Sequence, residues 1–179
     1  MKLNNFRFFS LMILFLVAGC SGITPTPAIP ATNLTTFTDQ NKYYQIQLPK
    51  DWKHEQTSGS HYYGDTFHSP DGNAMIQNIA YDDGTAITST NGQHALDLLN
   101  NYFFPMNQIG SITINDTTME NDGSERLSWT SASTDASGIS FVEVRNETTF
   151  LIFTVEWKNE YKSQYFNILD QVTASYTVP

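Results

Sequence analysis

The residues most ready for chemistry in this chain are four histidines, His54, His61, His68 and His94, and a scatter of carboxylates. Three of the histidines sit seven apart, which is no ligand period on a strand, where only residues two or four apart share a face. His61 and Asp65 do meet that spacing and are the candidate pair for a divalent ion. Two side chains would hold it weakly, because tight sites need three or four converging ligands. Asp82 and Asp83 are adjacent, so on an extended chain they point apart and cannot gather the many oxygens calcium takes. Glu120, Asp122 and Glu125 form a second acidic group, read as a solvated hairpin turn. The chain holds no HExxH, CxxC or EF-hand pattern and no Gly-x-Ser-x-Gly elbow, so no catalytic residue is assigned and the chain is read as a non-enzyme. The aromatic residues are more suggestive. Tyr43, Trp52, Tyr62 and Tyr63 crowd one stretch and form the candidate interaction surface. Adjacent tyrosines on a strand point to opposite faces, so one of each pair enters the core and the other anchors a partner or packs beneath a further layer.

The only cysteine, Cys20, can form no internal disulfide and no thiolate cage. Lys2 and Arg7 precede an apolar run from Phe8 to Val17, too short for an ordinary spanning helix. Val17-Ala18-Gly19-Cys20 then resembles the bacterial lipobox, in which the thiol is diacylated and the signal is cut just before it. Residues 1–19 are therefore expected to be a lipoprotein signal peptide and Cys20 the lipid anchor, which would place the protein on the extracytoplasmic side of a cell membrane. The chain of 179 residues has 9 Lys and Arg against 18 Asp and Glu, a net charge of −9. Loss of Lys2 and Arg7 with the signal leaves seven bases against eighteen acids, −11. Such a charge disfavours nucleic acid as a partner.

The elements that must position these residues follow from periodicity. Residues 20–38, with Pro25, Pro27 and Pro30 and almost no charge, read as a tether. Residues 39–179 read as one α+β domain. Tyr44, Ile46 and Leu48 alternate with glutamines up to Pro49, a strand. Tyr62 to Phe67 and Ala74 to Tyr81 predict a hairpin around Ser69-Pro70-Asp71-Gly72. Ser89 to Phe104 predicts a helix stopped by Pro105. Ile109–Ile114, Glu125–Ser131, Ile139–Arg145 and Thr148–Trp157 predict four more strands, the last two joined at Asn146 and Glu147. Asn159 to Ser175 predicts a closing helix with Tyr161, Tyr165, Leu169, Val172 and Tyr176 as its apolar stripe.

Tyr44-Gln45-Ile46-Gln47-Leu48-Pro49 followed by Trp52, then Phe67-His68-Ser69-Pro70-Asp71-Gly72, and finally Tyr165-Phe166-Asn167-Ile168-Leu169, together resemble the PsbP-like family. That family comprises extrinsic photosystem II subunits and similar bacterial lipoproteins. The resemblance implies an antiparallel sheet flanked by helices, an α/β/α sandwich, with accessory or assembly roles in larger complexes and no shared catalysis. The expected function is thus a lipid-anchored, extracytoplasmic, non-catalytic binding domain serving a membrane protein complex. The alternative is a small-ligand or divalent-metal-binding lipoprotein. No cofactor is expected beyond a weakly held divalent metal.

Overall fold

The computed structural model of the chain describes residues 33–87 and 112–179. These carry β1 (Leu34–Thr38), β2 (Gln45–Pro49), β3 (Lys53–Ser58), β4 (Tyr62–His68), β5 (Ala74–Tyr81), β6 (Ile112–Met119), β7 (Glu125–Ser131), β8 (Ala136–Arg145) and β9 (Thr149–Lys158). A single 3₁₀ turn, Asn159–Tyr161, leads into α1 (Lys162–Ala174). All pairings are antiparallel. β1 and β2 form a two-stranded ribbon, and the other seven strands form one sheet in the order β3-β4-β5-β9-β8-β7-β6.

Side chains alternate across this sheet, and the pairing register sorts them into two faces. His54, Asp65, Ile76, Phe153, Val155, Trp157 and Phe141 share one face. The ribbon and α1 pack on it, burying Tyr44, Ile46 and Leu48 from β2 and Tyr165, Ile168, Leu169 and Val172 from α1. The opposite face holds a second apolar cluster of Ile79, Leu127, Val142, Phe150 and Ile152. On the same face Trp129 lies over Gly138, where a Cβ would overlap the indole ring. The indole N–H donates to Ser140 Oγ at 2.9 Å, and Ser140 meets Thr154 Oγ1 at 2.8 Å.

The expected α/β/α sandwich is overturned. The described residues are mostly β, with one short helix, and helices do not flank the sheet on both faces. Two polar segments account for part of the difference. Residues 34–38, inside the expected tether, are β1, because Leu34 and Phe37 turn toward the core while the threonines pair with β2. Lys53–Ser58, read from its polarity as a loop, is the edge strand β3. On the face that α1 packs against, the β-ribbon shares the covering. The helix predicted at Ser89–Phe104, Cys20 and the signal segment lie outside the described residues.

The expected first hairpin and closing helix are both present. The predicted hairpin at Ser69–Gly72 joins β4 to β5, with Gly72 at φ 71°, a backbone state that glycine adopts without penalty. The closing helix presents Tyr165, Leu169 and Val172 inward as its spacing predicts. The Tyr165 hydroxyl donates to Asp71 Oδ1, which ties α1 to that hairpin. At the other end, Ser175 Oγ accepts from the Gln47 backbone N–H at 2.8 Å, and Thr177 pairs with Gln45, locking the C-terminus to β2.

Candidate functional site

Three of the residues singled out in the sequence, Asp65, Tyr63 and Tyr43, belong to one polar junction under the ribbon. Asp65 lies in the middle of β4 and is fully buried. Its carboxylate accepts from the Tyr44 hydroxyl at 2.9 Å and from Gln56 Nε2 at 3.2 Å, and it pairs with His54 Nε2 at 2.8 Å. Burial, first of all, and then the neighbouring Asp65 carboxylate push the Tyr44 hydroxyl far above its ordinary pKa, so it remains a donor. His54 comes from β3, directly across the strand pair, and stacks on Phe67 at 4.6 Å. The structure thus gives Asp65 a histidine other than the one sequence spacing suggested. His61 lies at the far end of β4, with its ring 6.4 Å from that of Tyr81. Among the described residues, no group of three or more His, Asp or Glu side chains is arranged to hold a metal.

Tyr63 and Tyr43 also belong to this junction. Tyr63 donates to Asp39 Oδ2 at 2.8 Å, and the same oxygen accepts the backbone N–H groups of Asn41 and Tyr43. The two tyrosine rings stack at 6.4 Å. Tyr62 faces the other side of the sheet and packs on Gly59. Trp52 is 7% exposed and meets the Tyr165 ring edge-on at 6.1 Å, beneath α1. Two of the four aromatic residues nominated as a surface therefore brace internal structure: Trp52 packs under the helix, and Tyr63 pins the ribbon.

The open surface lies elsewhere. α1 covers the centre of the sheet and, among the described residues, leaves the near side of β7 and β8 half-exposed, making a groove with two hollows. One, of about 120 Å³, is lined by Trp157, Ile139 and Phe141 from the sheet and by Phe166, Leu169 and Asp170 from α1. The other, of about 150 Å³, has Phe153, Phe141 and Leu151 as its floor, Tyr176 as a wall, and Asp122 and Glu143 at its rim. Phe141 and Thr173 border both. Beyond Phe141 the groove opens toward Glu120 and Arg126.

Charge in the groove is unevenly neutralised. Glu143 holds Arg145 in a two-pronged pair at 2.6 and 3.1 Å, which raises the pKa of the guanidinium. Asp122 is held below its ordinary pKa by the hydroxyl and backbone N–H of Ser124 and stays ionised. Among the described residues no carboxylate pairs with Arg126. The indole N–H of Trp157 is buried without a hydrogen-bond partner. A buried donor left unmatched costs about 1–3 kcal/mol. Phe166, 40% exposed, meets Trp157 edge-on at 5.5 Å.

The two regions are linked. Tyr44, held by Asp65, stacks on Tyr176 with ring planes 2° apart, and Tyr176 also packs on Phe153. The buried junction therefore sets the wall of the larger hollow. Sequence reasoning did not find the groove. Its signals were Ile139, Phe141 and Glu143 on one side of β8, and Phe166, Asp170 and Thr173 along the flank of the α1 stripe. Neither pattern says that the facing strand is left uncovered.

The sheet, the ribbon laid over it and the closing helix define a PsbP-like fold. It is shared with the solution structure of cyanobacterial PsbP (CyanoP) from Synechocystis sp. PCC 6803, at a TM-score of 0.61 and 13% identity, over 91% of this chain and 99% of that one. Weaker likenesses reach a Pseudomonas aeruginosa protein of unknown function (TM-score 0.46, 14% identity, 82% of this chain and 97% of that one) and a Bacteroides thetaiotaomicron protein (TM-score 0.43, 11% identity, 80% and 48%). No family model and no curated protein matches the sequence.

Proposed function

We propose that this chain is a non-catalytic binding domain, held to the extracytoplasmic face of a membrane through Cys20, that serves as an accessory or assembly factor of a membrane protein complex. The observation that carries this reading is the groove beside α1. It offers apolar hollows of side-chain size and carboxylates at its rim, the makings of a protein contact. The PsbP-like fold supports it, because the resemblance in sequence implies accessory roles. The lipobox supports the anchor: acyl chains at about 0.8 kcal/mol per buried CH₂ hold a protein firmly once more than one is attached.

The test is in-cell crosslinking of the full-length protein, followed by purification and mass spectrometry. One membrane complex in near-equal amount is the expected result. A protein recovered alone would sink the reading. Separately, Cys20→Ala should release the protein from the membrane fraction. If it stays there without acylation, the anchor is not Cys20.

A further inference from the structure

We infer that the groove between α1 and β7–β8 receives an extended segment of the partner protein, bearing two apolar side chains next to a lysine or arginine. This rests on the accessory-domain reading and names the chemistry of its contact. The two hollows, about 120 and 150 Å³, each suit one large apolar side chain. They are separated by Phe141, whose ring borders both, so the two side chains lie on the same side of the segment. Residues two apart in an extended chain do so, at about 6.6 Å.

Polar features select a polypeptide over an apolar small molecule. The Arg126 guanidinium at the edge of one hollow pairs with no carboxylate among the described residues. It is a donor, and the carbonyls of an extended backbone are acceptors that would satisfy it. Charge then sets the register. Where the groove opens, Glu120 and Asp122 stand with Arg126 beside them, two carboxylates to one guanidinium, while Glu143 is already matched by Arg145. A basic side chain of the segment belongs at that end. The chain's net charge of −9 attracts such a segment before contact.

The experiment uses the full-length protein and an array of twelve-residue peptides. Each carries two apolar residues two apart, flanked by Lys, by Glu or by Ser. The expected result is preferential binding of the Lys-flanked set, weakening as salt rises. Glu120→Gln with Asp122→Asn should lower that binding about tenfold while leaving the Ser-flanked set unchanged. Thr173→Trp places an indole between the two hollows from an accessible helix position, and should abolish binding of every set with the thermal midpoint of unfolding within about 2 °C. Equal binding of Glu- and Lys-flanked peptides would overturn the inference. So would full binding by the Thr173→Trp protein, or a concentration-dependent dimer abolished by the same change, which would make the occupant a second copy. In cells, a membrane complex that persists with Thr173→Trp removes the groove inference and leaves the accessory role standing. No complex with the unaltered protein removes the accessory role itself.

Discussion

Asp65 shows what a buried carboxylate requires. Its two oxygens meet Tyr44, just before β2, and His54 and Gln56 on β3, so removing one donor leaves unmatched charge in the interior. Tyr44→Phe deletes only the hydroxyl and should lower stability by about 1–3 kcal/mol in urea unfolding. Because Tyr44 stacks on Tyr176, the variant should also loosen the larger hollow and weaken peptide binding while a peptide still engages Trp157. Glu156 makes the opposite case. Burial pushes its carboxyl up to about 7, against a weaker opposing pull from Lys158. Between about pH 4.5 and 7 the unfolded chain has lost this proton while the folded one keeps it, so stability falls as pH rises through that window and then levels. Asp71 and Asp122, held below their ordinary values, contribute stability that is present above about pH 4 and lost as pH falls through their folded-state values. The stability curve should therefore peak near pH 5, and Glu156→Gln should flatten its neutral side. A curve for the unaltered protein that climbs from pH 5 to 7 would refute the assignment.

At the scale of elements, the strands are held by specific cross-sheet pairs. Trp129 faces Gly138 directly across β7 and β8, and its ring fills the space a side chain would need. Gly138→Ala should force the indole aside, break its bond to Ser140 and cost about 1–3 kcal/mol, measured as a lower thermal midpoint. Legibility differs sharply between elements. β5, β7 and α1 follow their period in sequence, because each buries a stripe the pattern announces. β1 and β3 do not: Leu34-Thr35-Thr36-Phe37-Thr38 and Lys53-His54-Glu55-Gln56-Thr57-Ser58 are polar and become strands through pairing with β2 and β4. β-propensity depends on the neighbours a strand meets, so a polar edge strand carries little signal of its own.

For the molecule as a whole, the arrangement of layers decides where function can reside. Among the described residues, one helix and one ribbon share a face of a seven-stranded sheet, and together they leave β7 and β8 half-exposed beside α1. A helix spans about 10 Å and strands lie about 4.8 Å apart, so α1 roofs two strands and leaves the next ones open. Substitutions at Thr173 or Phe141 should therefore act on binding, while those at Asp65 or Trp129 act on stability, a division that comparing unfolding midpoints with peptide affinity would check.

Local pattern settled the hairpins, the inward stripe of α1 and the opposite facing of Tyr62 and Tyr63, because alternation and helical spacing are properties of a few consecutive residues. Tertiary structure alone decided that Asp65 meets His54, that residues 34–38 join the domain as a strand, and that Phe141, Trp157 and Asp122 border one groove. Those contacts join strands far apart in the chain. Which strand lies beside which, and which is left bare, depends on how the whole set of apolar faces closes together.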